Sequence, residues 1–424
     1  MSGARTSREV GGAGPVPAWL GRVLEPLYRA EIGRRNRRFD RGVGVERLPV
    51  PVISVGNLSV GGTGKTPMVM HVVRLLLEAG RKPCVAMRGY AKAGKRGGGG
   101  GAGGAGERRL INPSAGELLT PLARQALTER RPVLHSDEAD QYRRAFPGMP
   151  VVARADRIVG LRELLEKPFQ PTVDCVVLDD GFQHRQIARD LDIVLVDASR
   201  PPQLDHLLPR GYLREPLESL RRASCVVITH AELAEAPLRA GEGACDADEC
   251  RVPVSESPSL LELTSVIVRH HGKAPIAVTS HLWTGFVRAR SHNLEDDEEL
   301  GLDVLLGRRV VGACAIGHPR AFLAGLERNL SADQSRPGKV VETMVLEDHD
   351  PFEETTARRL AEMAARAEAD AIVVTDKDWS KLRRFPSKFW PCPVYRPVLS
   401  LVFSTGGEAL RGEVEKAPGV SSEQ

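Results

Sequence analysis

The stretch "PVPVISVGNLSVGGTGKTPMVMHVVRLL" (Pro49 to Leu76) limits the choice of fold more than any other part of the chain. Its first part, "VPVISVG", is a short, apolar, β-branched run that reads as a buried strand. Its last part continues into "KTPMVMHVVRLLLEAG", which carries apolar residues at helical spacing and is closed by Gly80. A strand that runs through a tight turn into a helix is half of a βαβ unit, and such units build parallel sheets covered by helices. The turn reads Ser59-Val60-Gly61-Gly62-Thr63-Gly64-Lys65-Thr66, the frame of a phosphate-binding loop with Ser59 at the position of the first glycine. Gly61, Gly62 and Gly64 let backbone N–H groups close on phosphate oxygens at a helix N-terminus. Lys65 supplies charge for the β- and γ-phosphates, and Thr66 supplies a hydroxyl for Mg²⁺. Ser59 is small and stands where the strand ends, so it can replace glycine provided its φ is negative.

Strand and helix patterns then alternate. "KPCVAMRGY" is a second strand, "RRPVLHSDEADQYRRAF" and "MPVVARADRIVGLRELL" each read as a strand end followed by a helix, and "VDCVVLDDGFQHR" and "LDIVLVDAS" are strands that run into Asp. "ASCVVITH", "RVVGACAIGHPRAF" and "ADAIVVTDKDWSKL" continue the pattern less regularly. The expected fold is an α/β phosphate-loop sheet with helices on both faces, followed by a second, smaller α/β lobe. We place a basic arm at 1–48, the phosphate-loop domain at 49–222, the second lobe at 223–405 and a tail at 406–424. Residues 232–300 read as loop-rich and end in the acidic run "LEDDEEL", a solvated face. "GGGGGAGGAG" (97–106) lacks a strand before it and a helix after it, and reads as a flexible insertion.

Charge points to the setting. Net charge is only +4, but residues 1–48 hold ten Arg and five acids, so the rest of the chain is close to neutral. In "AWLGRVLEPLYRAEIGRRNRRFDRG", Trp19, Val23 and Leu27, with Leu20, Leu24 and Tyr28, form an apolar helical face, and Pro26 is expected to kink the helix. Packing on its own domain and lying on an anionic membrane are both open to such a helix, and its cationic flank favours the membrane. No run approaches the roughly 20 apolar residues of a membrane span. Aromatic residues are 4% of the chain, so no stacking platform for nucleic acid is expected. Cys84, Cys175, Cys225 and Cys314 lie in apolar runs as buried thiols, and Cys245 and Cys250 lack zinc-type spacing, which points to a reducing compartment.

Asp179 and Asp180 close the apolar run "VDCVVLDDG", where a phosphate-loop enzyme holds Mg²⁺. The chain thus reads as binding ATP or GTP with Mg²⁺. If it transfers phosphate to a hydroxyl, it needs a carboxylate or His near the γ-phosphate. "HSDEADQ" offers Asp137 and Glu138, and "LEDHDPF" offers Asp348, His349 and Asp350. Each of these also suits a simple helix cap. Arg154, Arg157 and Arg214 can meet an anionic substrate or form surface ion pairs.

Taken in order, "VPVISVGNLSVGGTGKTPMV", "RGY", "LDDGFQHR", "DLDIVLVD", "LLPRGYLREPL", "EDHDPF" and "VVTDKDWSKL" resemble the tetraacyldisaccharide 4′-kinase family of lipid A synthesis. The resemblance runs from about Trp19 to about Leu399, with gaps at the Gly-rich insertion and at 232–300. It implies transfer of the ATP γ-phosphate to the 4′-hydroxyl of a tetraacylated glucosamine disaccharide 1-phosphate, with Mg²⁺, at a membrane surface. It further implies Asp137 as the catalytic carboxylate paired with His349, with Glu138 beside it. Asp179 and Asp180 would be the metal-side acids, and Arg157, Gln183, His184 and Arg214 would line the site. Two details depart from the family pattern. Ser136-Asp137-Glu138-Ala139 stands where Gly-Asp-Glu-Pro is common, and "EDHDPF" replaces a Pro-Asp-His-aromatic run. The resemblance implies the cytoplasmic face of an inner membrane for a bacterial source and mitochondria for a plant or alga. No obligate protein partner is expected. The alternative from a different class is a phosphate-loop GTPase or ATPase switch. "VTDKDWSK" carries part of a guanine-reading motif, but Asp378 follows Lys377 directly, which breaks the spacing.

Overall fold

The structure is a computed structural model that describes residues 16–89, 137–166, 172–234, 258–289, 297–317, 319–347 and 350–417. The Gly-rich insertion, Cys245 and Cys250, and residues 348–349 with His349 lie outside the described residues.

One sheet organises the chain. Its first half holds β1 (Val52–Asn57), β2 (Pro83–Met87), β3 (Val151–Ala153), β4 (Cys175–Asp179), β5 (Leu191–Asp197) and β6 (Cys225–Thr229). Its second half adds β7 (Ala277–Ala289), β8 (Glu298–Leu300), β9 (Arg309–Cys314), β10 (Lys339–Val345), β11 (Ala371–Val374) and β12 (Val394–Thr405). Among the described residues the order is β10-β9-β11-β12-β7-β6-β5-β1-β4-β2-β3, with β8 beside β7. All pairings are parallel except β7 with β12 and β7 with β8. β1, β2, β4, β5 and β6 are buried throughout, because helices cover both faces, and this is why their sequences are unbroken apolar runs.

The nine helices among the described residues are α1 (Ala18–Asp40), α2 (Lys65–Glu78), α3 (Asp137–Ala145), α4 (Arg157–Leu165), α5 (Pro258–His271), α6 (Pro319–Leu330), α7 (Glu354–Arg366), α8 (Asp376–Leu382) and α9 (Gly407–Lys416). α2 buries Met68, Val69, Val72, Val73, Leu75 and Leu76 against β1, β2, β4 and β5, and Leu410 and Val414 of α9 join the same core. Cys84, Cys175, Cys225 and Cys314 are buried free thiols, as expected.

One expectation changes. The described residues of 232–300 are not mainly loop: they hold the 14-residue α5 and the 13-residue β7, the longest strand described. The acidic run contributes β8. Pro26 lies within α1, which continues through it as one helix. The two apolar stripes of α1 also part company. Leu20, Leu24 and Tyr28 are half-buried, whereas Trp19, Val23 and Leu27 are 70%, 62% and 66% exposed. The boundary expected between 222 and 223 falls between β5 and β6, which pair along five residues of the same sheet.

Leu76 is fully buried in the core that seats the phosphate-loop helix. Leu76→Ala is expected to destabilise the fold by roughly 2–5 kcal/mol. Urea denaturation of the two proteins checks this, and a loss below the low end of that range would mean that α2 is not the keystone of this core.

Candidate active site

The loop between β1 and α2 lies at the carboxyl edge of the sheet, where ligands of open α/β folds bind. Its glycines are needed for their geometry. Gly61 has φ +119°, and Gly64, the N-cap of α2, has φ +78°. A Cβ on Gly64 would lie 2.5 Å from Cε1 of His281. Ser59 meets the condition set for it: the non-glycine residues with positive φ among those described are Asp180, His230, Phe352 and Glu368. Ser59 forms an antiparallel bridge with Leu213, and Val60 N–H donates to the Tyr212 carbonyl at 2.8 Å. The loop is thus strapped to the 212–214 segment.

Lys65, Asp180 and Arg214 meet beside it. Lys65 Nζ lies 3.7 Å from Asp180 Oδ1, and it donates to Asn57 Oδ1 at 3.4 Å and to the Gly61 carbonyl at 3.3 Å. Arg214 Nη1 donates to both Asp180 oxygens at 2.9 and 2.7 Å and to Gln183 Oε1 at 3.3 Å. Burial pushes the Asp180 carboxyl up, but Lys65 and Arg214 outweigh it and hold the group below the usual carboxylate range. Buried Arg157 donates to the Asp180 carbonyl at 3.3 Å. Gln183 Nε2 donates to the Asn57 carbonyl at 2.8 Å. Asp179 is buried and accepts from Tyr142 Oη at 2.9 Å. Burial, with Arg157 and Arg189 nearby, pushes His184 down to about 4. Its Nε2 is buried with no hydrogen-bond partner among the described residues.

Lys65, Arg157, Asp180, Gln183 and Arg214 therefore form one cluster, with Asp179 next to it in sequence. Asp137 opens α3, but the side chains of Asp137 and Glu138 lie outside what is described, as does His349. What surrounds them is visible. Gln141 and Arg144 of α3 donate to Asp376 of α8 at 3.2 and 3.1 Å. Lys381 of the same helix donates to the Asp350 carbonyl at 2.8 Å. The helix that Asp137 begins and the turn that follows His349 thus touch one short helix. Arg154 pairs with Glu163 at 2.9 Å. Asp378 is fully buried, its carboxylate accepts from Ala315 N–H and the Thr375 hydroxyl, and its N–H donates to Thr375, the N-cap of α8, so it is not presented to a nucleobase. Sequence reading missed Asn57 and Tyr142. Asn57 was signalled by its place inside "GNLSVGG"; nothing local marked Tyr142.

The family whose sequence pattern matches the chain is described as Tetraacyldisaccharide-1-P 4′-kinase, over residues 17–98 and 123–399. The match passes through 232–300, where a gap was expected. The tetraacyldisaccharide 4′-kinase of Syntrophus aciditrophicus is 34% identical over 367 residues, covering 86% of this chain and 84% of that protein. The enzyme of the same name from Geobacter sulfurreducens is 32% identical over 386 residues, covering 90% and 89%. Among solved structures, LpxK from Aquifex aeolicus in complex with ATP aligns with a TM-score of 0.58 and 26% identity, covering 93% of this chain and 97% of that one.

The imidazole of His184 gives the site a pH signature. Its folded value of about 4 lies below the ordinary 6.5, so between these values the unfolded chain binds a proton that the folded protein does not. Stability therefore falls as pH drops from 6.5 to 4 and levels off below. Asp180 acts in a lower window, because its contribution is lost only as pH falls through a folded value below 3.8. His184→Gln is expected to flatten the decline of the urea midpoint between pH 6.5 and 4. An equally steep decline in the variant would place its cause elsewhere.

Proposed function

The chain belongs to the tetraacyldisaccharide-1-P 4′-kinase family, and on that premise we propose that it transfers the γ-phosphate of ATP to the 4′-hydroxyl of a tetraacyldisaccharide 1-phosphate. The observation that carries this reading is the convergence of the phosphate loop, through Lys65, with Asp180 and Arg214. The ATP complex of the Aquifex aeolicus relative supports ATP as the donor.

In this reading residues 59–66 cradle the phosphates of ATP. The cluster also fits Mg²⁺. No group of three or more His, Cys, Asp or Glu suited to a metal occurs among the described residues. Mg²⁺ is usually held by one or two carboxylates together with substrate phosphate and water. Thr66, Asp179 and Asp180 would hold it, and it would offset charge on the β- and γ-phosphate oxygens. Lys65 and Arg214 would meet negative charge that develops on the transferring group, with Arg157 holding the Asp180 turn. Asp137 would accept the proton of the sugar hydroxyl, with His349 orienting it and raising its basicity. Glu138, Gln183 and His184 would line the acceptor side. The seam between a nucleotide lobe (49–222) and an acceptor lobe (223–405) would run between β5 and β6, with 406–424 as a tail that includes α9.

A lipid acceptor requires the protein to reach a membrane, and no helix among the described residues is long and apolar enough to cross one. The outward side of α1 supports a peripheral mode. Trp19, Val23 and Leu27 are exposed along its first half, and Arg34, Arg37 and Arg38 along its second. Such a helix lies in the interface, its apolar residues among the acyl chains and its arginines at anionic headgroups. The bacterial origin of the relatives favours the cytoplasmic face of an inner membrane over a mitochondrial one.

Incubation with Mg²⁺, ATP and the disaccharide 1-phosphate lipid in detergent micelles is expected to give a product heavier by one phosphate, matched by ADP, on mass analysis. Tight GTP binding without ATP use would overturn the reading in favour of a switch protein. Asp137→Ala is expected to keep ATP binding and to lose roughly 10²- to 10⁴-fold in turnover. Near-normal turnover in that variant would remove Asp137 from the role of base.

A further inference from the structure

The inward side of α1 does more than hold the helix to the body. Tyr28 Oη donates to the Arg214 carbonyl at 3.0 Å, and Arg35 Nη2 donates to the Gln183 carbonyl at 2.5 Å. The side chains of these two residues reach the phosphate site. Arg214 holds both oxygens of Asp180, and Gln183 holds the carbonyl of Asn57 at the end of β1. One residue therefore separates each α1 side chain from a group of the site. Flanking contacts fix the same two segments. Asn36 Nδ2 donates to Glu215 Oε2 at 2.8 Å, and Arg222 holds Glu215 through both nitrogens at 2.9 and 3.2 Å. Arg185 donates to the Asn36 carbonyl at 3.0 Å and to Asp40 at 2.7 Å. Gly21 lets α1 approach closely, since a Cβ there would stand 2.8 Å from the Cα of Arg210.

We propose that α1 is a brace for the phosphate site, and that Tyr28 and Arg35 are positioning residues that fix Arg214 and Gln183 and, through them, Asp180 and the end of β1. The proposal rests on the assignment of the Lys65–Asp180–Arg214 cluster to phosphoryl transfer. A helix serving only as an anchor needs apolar packing on the body, and the ring of Tyr28, packed against the core that holds Phe182 and Leu213, provides it. The two polar contacts add register: they hold backbone carbonyls whose displacement would move Arg214 and Gln183 away from their partners. Residues outside the chemistry that set such geometry act on turnover more than on substrate affinity.

The test compares Tyr28→Phe, Arg35→Gln and their double variant in the full chain. Arg35→Lys serves as the conservative variant, and a Trp19→Ser/Val23→Ser/Leu27→Ser protein as the outward-face control. The double variant is expected to lose roughly 10- to 100-fold in kcat on micellar lipid with KM for the lipid nearly unchanged. Amide hydrogen exchange over residues 181–186 and 213–216 is expected to quicken while the thermal midpoint stays near that of the unaltered protein. Arg35→Lys is expected to recover most of the loss seen in Arg35→Gln. The control is expected to lose binding to anionic phosphatidylglycerol vesicles with exchange over 181–186 unchanged. If the double variant fails to fold, Tyr28→Phe alone, which keeps the ring and removes one donor, carries the test. Unchanged kcat and unchanged exchange would overturn the brace. Quickened exchange in a protein that phosphorylates no lipid would instead overturn the kinase assignment and leave the brace standing.

Discussion

The site depends on one carboxylate placed between two cations. Asp180 takes Arg214 through both oxygens and stands 3.7 Å from Lys65. Three segments distant in sequence are thereby tied together: the start of α2, the turn after β4 and the 212–214 strap. Its backbone has φ +51°, an uncommon conformation for a residue with a Cβ, though Asp tolerates it better than most. The surroundings over-determine that turn, since the Asp180 carbonyl accepts from Arg157 while the neighbouring Asp179 carboxylate accepts from Tyr142. A carboxylate poised this way is charged at neutral pH and already compensated, which suits the role proposed for it beside a metal and phosphate.

The parts of this arrangement legible in the sequence are those written locally. The phosphate loop, its strand and its helix follow from one consecutive stretch, Pro49 to Leu76, and the Asp179-Asp180 pair follows from an apolar run ending at a strand edge. β1, β2, β4, β5 and β6 were readable because burial on both faces gives them unbroken apolar sequences. β7 was not. Its sequence "AVTSHLWTGFVRA" mixes polar and apolar residues, because it pairs antiparallel with β12 and packs its two faces differently. Trp283 and Phe286 are buried while Leu282 is 37% exposed. The contacts that no local pattern marked are long-range. Tyr142 meets Asp179 from 37 positions away and Tyr28 meets Arg214 from 186. No periodicity encodes contacts of that kind. The two stripes of α1 show the opposite limit: the sequence locates the apolar residues but does not say which of them the body will cover.

The antiparallel ribbon explains how the second half of the chain reaches the site. β12 runs the length of β7 and carries Arg396 to Asp376 on α8. Asp376 also accepts from Gln141 and Arg144 of α3, whose Tyr142 reaches Asp179. From Asp179 the linkage therefore passes through α3 to α8, and through Lys381 on to Asp350. Ion pairs at partly exposed positions contribute little stability each. Their effect here is geometric, since several donors from two elements converge on one carboxylate and fix the angle between those elements. A reaction that needs a carboxylate at the start of α3 and an imidazole just before Asp350 has both segments referenced to the same short helix. The halves of the sheet then cannot shift relative to each other without moving the start of α3, the proposed seat of the proton acceptor, relative to the phosphate loop.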